Sequence, residues 1–306
     1  MRRQSVSLFD QLVNEALRAR ADLSSLRPVV EKELLHHDIL REMGAAGLLA
    51  GLTFIGGTCL RACYGSSRLS EDLDFTGGNN FKRRDLADLG NILTQRLKDR
   101  YGLPVRVSEP VKTGGNVSTW KLVIETRPGQ RHLPAQRINL DICAIPSHDP
   151  RPMMLRNLYG IELGTSGLIL QAQSREEILA DKLVAIAFRE NRIKNRDLWD
   201  IGWLVQQGIE LPTQLIPVKI RDHKREAAAF IASLESRLAA LRSQPDMRGE
   251  FMKEMRRFLP ATAVRDTIDQ APYWSYLTDV ATDLGRKAVA ALPAPARKTV
   301  PATKSG

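Results

Sequence analysis

The first fifty residues alternate apolar and polar positions at helical spacing. From Leu8 to Ala19, and again from Val29 to Met43, apolar residues recur three and four positions apart. This is the period of an amphipathic helix with one buried face. The pattern predicts a helical N-terminal segment over residues 1–50.

The pattern between residues 51 and 150 changes to short runs typical of strands, interrupted by one helical stretch. The predicted strands are Leu52–Ile55, Leu73–Thr76, Pro104–Val107, Val117–Thr126 and Gln136–Ile145, and the predicted helix is Arg83–Arg100. The segment Arg127-Pro128-Gly129-Gln130 supplies turn residues between two of these strands. We therefore predict a small α/β (α+β) core over residues 51–150.

Helical spacing returns after Ser174 and continues almost to the end of the chain. The predicted helices are Glu176–Glu190, Arg196–Gln207, Glu226–Arg242, Arg248–Phe258 and Ala271–Leu284. They predict a helical C-terminal domain over residues 151–285. The last residues, 286–306, are rich in alanine, proline and basic side chains and contain no apolar period, which favours a flexible basic tail.

Charge and hydropathy restrict the class of protein. No apolar run approaches the roughly 20 residues that span a membrane, and the start, Met1-Arg2-Arg3-Gln4, leads into an amphipathic stretch instead of a signal sequence. We expect a cytoplasmic protein without membrane association. The formal net charge of +10 and the pI of about 9.7 favour an anionic partner, nucleic acid or nucleotide, although such a charge also serves solubility alone.

The segment Gly56-Gly57-Thr58 follows the first predicted strand and precedes a helix. Backbone N–H groups at such a junction point outward and attract phosphate. Thr58 is suited to be the N-cap of the helix or a phosphate contact. The alternative for these residues is an ordinary turn and helix cap.

Carboxylates occupy alternate positions of two predicted strands. In a strand, Asp72 and Asp74 project from one face while Leu73 and Phe75 enter the core. Asp141 likewise lies opposite the apolar face of its strand. Oxygen-rich clusters suit magnesium, and three carboxylates can bridge two ions that activate an attacking hydroxyl and stabilise a leaving pyrophosphate. The alternative for Asp141 is an exposed strand residue.

Ser70 lies two residues before Asp72 and would share its face if the strand begins early enough. A phosphate on Ser70 would then add negative charge beside the carboxylates. The alternative is a serine that caps the turn into the strand.

Basic residues also recur along the helix after Ser174. Arg175, Lys182 and Arg189 are spaced seven apart and form one row beside an apolar stripe. A solvated helix face would give the same pattern. Farther on, Arg196 and Asp200 have the spacing of an i, i+4 ion pair.

Together these motifs resemble the polymerase-β-like nucleotidyltransferase superfamily. The resemblance is strongest to the AbiEii-type toxins of type IV toxin–antitoxin systems, which include the MenT toxins. The motifs that carry it are Gly56-Gly57-Thr58 and Arg68-Leu69-Ser70-Glu71-Asp72-Leu73-Asp74-Phe75. Lys182 and Arg196-Asp197-Leu198-Trp199-Asp200 also match, so that the resemblance covers about Ala50 to Gln207. It implies a nucleotidyltransferase core with a mixed sheet, followed by a helical domain.

The resemblance also implies roles for individual residues. Gly56, Gly57, Thr58 and Ser70 would hold the triphosphate, and Lys182 would contact its phosphates. Asp72 and Asp74 would bind Mg²⁺, with Asp141 as the third carboxylate. Asp197, and less directly Asp200, would orient a basic group or help to activate the acceptor.

The resemblance implies metal-dependent transfer of a nucleotide from a nucleoside triphosphate (NTP) to an RNA acceptor, which is tRNA in some relatives. It also implies that the protein is a toxin of abortive infection and phage defence with a cognate antitoxin. Two alternatives stay open at this point. In the first, the enzyme transfers the nucleotide to a small molecule or a protein side chain. In the second, the chain is an inactive nucleic-acid-binding protein of the same fold. The paired aspartates argue against the second, because an inactive fold has no need to hold repelling carboxylates together.

Overall fold

The computed structural model describes residues 7–111, 116–128, 130, 134–190 and 192–293. The strands are β1 Thr53–Ile55, β2 Leu73–Thr76, β3 Val105–Ser108, β4 Val117–Ile124, β5 Gln136–Cys143, β6 Pro150–Met154 and β7 Ile169–Gln173. The helices are α1 Leu8–Ala19, α2 Arg27–Ala45, α3 Gly56–Ala62, α4 Leu89–Tyr101, α5 Arg175–Phe188, α6 Asn195–Gln206, α7 Ile216–Asp222, α8 Ala227–Ser243, α9 Asp246–Met255, α10 Ala261–Ala263 and α11 Ala271–Ala290.

The strands form one seven-stranded sheet in the order β3-β4-β5-β2-β1-β7-β6. The pairs β1–β7 and β2–β5 are parallel, and the other neighbours are antiparallel. The predicted α/β fold with a mixed sheet is therefore confirmed. β6 and β7 were not predicted, and with them the sheet extends beyond residue 150. β6 carries Pro150 and Pro152 at the edge of the sheet, where proline is tolerated but gives little strand signal.

Every predicted helix is present, with differences at the ends, but α7 and the short α10 were not predicted. The predicted helix 83–100 is divided into a 3₁₀ turn, Arg83–Leu86, and α4. α11 continues to Ala290, beyond the predicted start of the basic tail, because Ala288 on its inner face is fully buried. Gly129 of the predicted 127–130 turn and residues 294–306 of the predicted tail lie outside the described residues.

Alternation along β4 and β5 places the core on one side of the sheet. Trp120, Leu122, Leu140 and Ile142 are buried at 1% exposure or less, and α2 and α4 cover this side through contacts with β5 and β3. The helical half packs around α5, which contacts α6, α7 and α8, and its buried residues are continuous with those of the sheet. The site described below lies between the sheet and α5.

None of the helices in the described parts of the chain is both long enough and apolar enough to cross a bilayer.

We expect Trp120→Ala to lower the free energy of unfolding by about 3–5 kcal/mol, because it empties a fully buried position. The change also leaves Glu109 without the hydrogen bond that the indole Nε1 donates to its Oε2 at 2.8 Å. Urea denaturation measures the effect. Val117→Ala is the matched control on the same strand, since Val117 is 47% exposed, and it should change stability by less than about 0.5 kcal/mol. Equal effects of the two changes would contradict the assignment of the core face.

Candidate active site

Three carboxylates meet on the side of the sheet opposite the core. β2 and β5 are parallel and in a register that places Asp74 beside Asp141, so both side chains leave the same face. Asp72 precedes β2 instead of lying within it. Its position is fixed differently, because the backbone N–H of Asn139 on β5 donates to Asp72 Oδ1 at 2.9 Å.

This acidic edge, formed by Asp72, Asp74 and Asp141, carries negative charge that neighbouring groups only partly compensate. Burial, followed by repulsion from Asp141 and Asp72, raises the pKa of Asp74 to about 6. Burial is also the main reason that the pKa of Asp141 is raised, although a hydrogen bond from Thr119 acts in the opposite direction. Asp141 Oδ1 is buried and accepts no hydrogen bond from the described residues. Such an oxygen favours a cation or a proton donor nearby.

The residues at this edge fit magnesium, although they do not form a closed cage. Within the described ranges no three His, Cys, Asp or Glu side chains surround a single point as metal ligands. Mg²⁺, however, keeps several waters and usually takes one or two carboxylates together with substrate phosphates. The unpartnered Oδ1 of Asp141 beside Asp72 and Asp74 supplies that kind of partial ligand set.

The two glycines occupy positions where a side chain would collide with the site. A Cβ on Gly56, whose φ is +75°, would lie 3.0 Å from Asp74 Oδ2. A Cβ on Gly57 would lie 2.1 Å from Arg68 Nη2. The Gly-Gly pair therefore lets the start of α3 approach an aspartate on one side and a buried guanidinium on the other. Both glycines line the cleft.

Thr58 differs from its predicted place. α3 begins at Gly56 with Ile55 as the N-cap residue, so Thr58 is not the cap. Its side chain is 2% exposed and bonds with the Ser70 hydroxyl at 2.7 Å and with the Asp72 carbonyl. Thr58 thus fixes the loop that carries the acidic residues, and its side chain does not line the cleft.

Ser70 does line the cleft, but strand register is not the reason. β2 begins only at Leu73, so Ser70 and Asp72 do not share a strand face. The loop is instead held from α2, where Glu33 Oε1 accepts from the Ser70 N–H at 3.1 Å and Lys32 pairs with Glu71 at 2.7 Å.

A buried network of ion pairs joins this loop to α5 and α6 across the cleft. Arg68 donates two hydrogen bonds, of 2.9 and 2.8 Å, to the carboxylate of Asp200. Lys182 Nζ lies 2.8 Å from Asp200 Oδ2 and 2.6 Å from Asp197 Oδ1, and Arg189 lies 3.0 Å from Asp197. Asp200 therefore pairs with Arg68 and Lys182, and the alternative Arg196–Asp200 pair is not formed, since Arg196 pairs with Glu71 and Glu254.

The network keeps its members charged despite burial. Burial acts to lower the pKa of Lys182, but Asp197 and Asp200 outweigh it, so that the pKa is raised overall. Burial likewise acts to raise the pKa of both aspartates, yet the pKa of Asp197 is lowered by Lys182 and that of Asp200 by Arg68. The amino group of Lys182 lines the cleft but is already occupied by two carboxylates. Its predicted contact with phosphate stays a prediction.

Lys194 is a cation of the cleft that the sequence analysis missed. It precedes α6, and its pKa is lowered, first by burial and then by the nearby Arg189. No carboxylate of the described residues lies within ion-pairing distance of its amino group. The signal for it in the sequence was weak, since it is one of four basic residues from position 189 to position 196.

Asp181 and Gln173 also line the cleft, and the sequence analysis missed both. Gln173 donates from Nε2 to Asp181 Oδ2 at 2.7 Å, and Lys219 lies 3.0 Å from Asp181 Oδ1. Burial raises the pKa of Asp181 despite Lys219. Of the predicted site residues, the structure brings together in one cleft Gly56, Gly57, Ser70, Asp72, Asp74, Asp141, Lys182 and Asp197.

The sequence profile of the nucleotidyl transferase AbiEii toxin family of type IV toxin–antitoxin systems matches residues 38–275. The chain belongs to this family. It is a nucleotidyltransferase toxin, with a nucleotide as substrate and a cognate antitoxin as partner. The matched residues include all the predicted site residues.

Solved structures with a similar fold include MenT4, a nucleotidyltransferase toxin from Mycobacterium tuberculosis H37Rv. It is 16% identical with a TM-score of 0.53, and the alignment covers 90% of this chain and 93% of MenT4. JHP933 from Helicobacter pylori is 18% identical with a TM-score of 0.41, over 86% of this chain and 91% of JHP933. At such identity the likeness to MenT4 supports the fold of the toxin alone. No curated protein matches the sequence.

We expect Gly57→Ala to destabilise the toxin by about 3 kcal/mol, because the added Cβ must displace Arg68 from a buried ion pair. Thermal and urea unfolding measure the loss. Gly249→Ala is the control, since a Cβ there meets nothing within 4 Å in a helix, and it should be neutral or stabilising by up to about 1 kcal/mol. A Gly57→Ala protein as stable as the control would show that Arg68 is not confined as described.

Proposed function

We propose that the toxin is a Mg²⁺-dependent enzyme that transfers a nucleotide from an NTP to an RNA acceptor, most specifically tRNA. The proposal rests on the combination of acidic and basic side chains in the cleft. Asp72, Asp74 and Asp141 form one wall, and basic side chains from the start of α6 and the end of α5 face them. Carboxylates for metal and cations for phosphate are the two requirements of nucleotidyl transfer.

In this proposal Asp72, Asp74 and Asp141 would hold a pair of magnesium ions, which would supply positive charge to neutralise the phosphates and to acidify the attacking hydroxyl. The acceptor hydroxyl attacks the α-phosphorus in line. The new bond joins the acceptor oxygen to that phosphorus, and the bond to the bridging oxygen breaks to release pyrophosphate. The proton of the hydroxyl passes to the carboxylate of Asp141, whose pKa is raised by burial.

The contact with the triphosphate is assigned to Lys194 and the backbone beside Gly56 and Gly57. Lys194 is the suitable cation because its charge lacks a counter-ion among the described residues, whereas Lys182 is engaged by Asp197 and Asp200. An unpaired ammonium gains more from a phosphate than a paired one does, because no existing ion pair has to be broken. Lys182 and Asp197 then act as positioning residues that hold α5 and α6 against the site.

An RNA acceptor is supported by the net charge of +10, since phosphate contacts reward basic side chains irrespective of base sequence. Growth arrest of an infected cell, and hence phage defence from the cytoplasm, would follow from modification of tRNA. A small molecule or a protein side chain as acceptor is the rival outcome. Incubation with total RNA and each labelled NTP in turn tests the proposal. Label on protein or on neither fraction would overturn it.

We expect Asp72→Ala and Asp74→Ala each to reduce nucleotide transfer by at least about 100-fold, because loss of metal-held charge costs several kcal/mol in the transition state. Asp74→Ala should leave the metal-free fold intact or more stable, because it removes self-repelling charge. Asp72→Ala also loses the hydrogen bond from Asn139. Label transfer in Mg²⁺, with circular dichroism as the folding control, measures both. Wild-type rates in either folded variant would refute the metal assignment.

We expect Lys194→Ala to affect NTP affinity and Lys182→Ala to affect the stability of the fold. Lys194→Ala should weaken NTP binding by about 10–100-fold with little change in stability, because a charge-assisted hydrogen bond contributes about 1.5–3 kcal/mol. Lys182→Ala should lower stability by about 3–5 kcal/mol, because two buried carboxylates lose a partner. Calorimetric titration with NTP and urea unfolding separate the two effects. If Lys182→Ala alone reduced NTP affinity in a stable protein, the roles would have to be exchanged.

A further inference from the structure

Half of the sheet has a polar side that ends at the acidic edge. We define the open face by the side chains that alternate with the core residues on β3, β4 and β5. Up to the acidic edge these are Arg106, Ser108, Thr119, Lys121, Val123, Arg137, Asn139 and Asp141, and the next pair, Val117 and Cys143, lies beyond that edge. Arg106, Ser108, Lys121 and Arg137 are exposed, and Thr119, Val123, Asn139 and Asp141 are half-buried. Apart from Val123 the face is therefore polar, and its basic side chains are exposed.

Register arranges the open face in three rows. Val123 lies between Arg106 and Arg137 in the first row. Lys121 lies between Ser108 and Asn139 in the second row. Thr119, Asp141 and Asp74 form the third. Rows two residues apart are separated by about 6.5 Å, so the arginines lie about 13 Å along the strands from the aspartates.

The charges of the open face favour a polyanion. Lys121 and Arg137 have no ion-pair partner among the described residues. Arg106 has only an exposed contact of 3.5 Å with Glu125, in which the two side chains are 72% and 39% exposed, and such pairs contribute little. Lys121 is close enough to Asp141 to lower its pKa. The cations of the open face therefore keep most of their charge for an external partner.

We propose that the open face binds the single-stranded end of the RNA acceptor, with backbone phosphates against Arg106, Lys121 and Arg137 and the terminal hydroxyl at Asp141. The inference rests on the proposed transfer to RNA and adds the surface that recognises it. An exposed sheet face that carries several cations suits a single strand, because the phosphates of the strand can lie against the cations while its bases turn to solvent. In the sheet the open face lies on the β5–β4–β3 side of β2, whereas β1, which leads into Gly56 and Gly57, lies on the other side of β2. The acceptor and the NTP therefore reach the acidic edge from different directions.

The test measures RNA binding directly, without transfer. We compare the wild type with Arg106→Glu/Arg137→Glu by fluorescence anisotropy of a labelled single-stranded RNA of about ten nucleotides. Lys121 is left in place because its removal would also change Asp141. The control is Lys98→Glu/Arg286→Glu, which makes the same change of net charge at exposed sites on α4 and α11, away from the open face.

We expect the open-face variant to bind RNA at least about tenfold more weakly than the control variant. The slope of log affinity against log salt should fall by about 0.7 for each phosphate that the variant no longer neutralises. In label transfer, KM for RNA should rise while the affinity for NTP, measured by titration, stays at the wild-type value. Equal weakening in the two variants, or no RNA binding by the wild type, would overturn the inference. Transfer to RNA that is insensitive to the open face would overturn it while leaving the proposed function standing.

Discussion

The site depends on the buried ion network of Arg68, Lys182, Asp197 and Asp200. Its members come from a loop before β2, from α5 and from α6, so the network is a polar connection between the sheet and the helical half at the cleft. Burial of four charges has a high desolvation cost, and only close pairing offsets it. Loss of Asp200 leaves Arg68 without an ion-pair partner among the described residues, and loss of Lys182 removes one of the two cations that pair with each aspartate. The geometry of the cleft is therefore strongly fixed, and Gly57 must remain free of a side chain to accommodate it.

The acidic edge on the sheet differs, because burial and mutual repulsion act on its carboxylates and no close ion pair within the described residues offsets them. Parallel pairing of β2 with β5 forces Asp74 and Asp141 onto one face, and burial raises the pKa of both. The protein stabilises Asp72 through a backbone hydrogen bond but leaves Asp141 Oδ1 without one from the described residues. One wall thus has its charges satisfied internally, and the other keeps charge for external ligands. That division distinguishes the residues that hold the cleft together from those available to act on a substrate.

The site residues that were placed correctly are those whose neighbours are local in sequence. Period-2 spacing placed Asp74 and Asp141 opposite a buried face because alternation is a property of any strand. Lys182 was recognised as a cleft residue, but its partners Asp197 and Asp200 lie on the next helix, and no pattern within α5 reveals them. Lys194 could not be singled out because nearby arginines carry the same charge. The difference is that Arg189 and Arg196 have carboxylate partners in the fold.

Local patterns in the chain were enough to indicate the order of most elements, the core face of the central strands and the family, and to predict which carboxylates would meet at one edge, because hydrophobic periodicity and short motifs act over a few residues. The folded chain was needed to show which strands are neighbours, that β6 and β7 complete the sheet, and that Thr58 supports a loop instead of capping a helix. It was needed also to show which cations of the cleft are neutralised. These outcomes depend on contacts between distant residues, such as Arg68 with Asp200, whose pairing is set by the path of the chain and by the cost of leaving a buried charge alone.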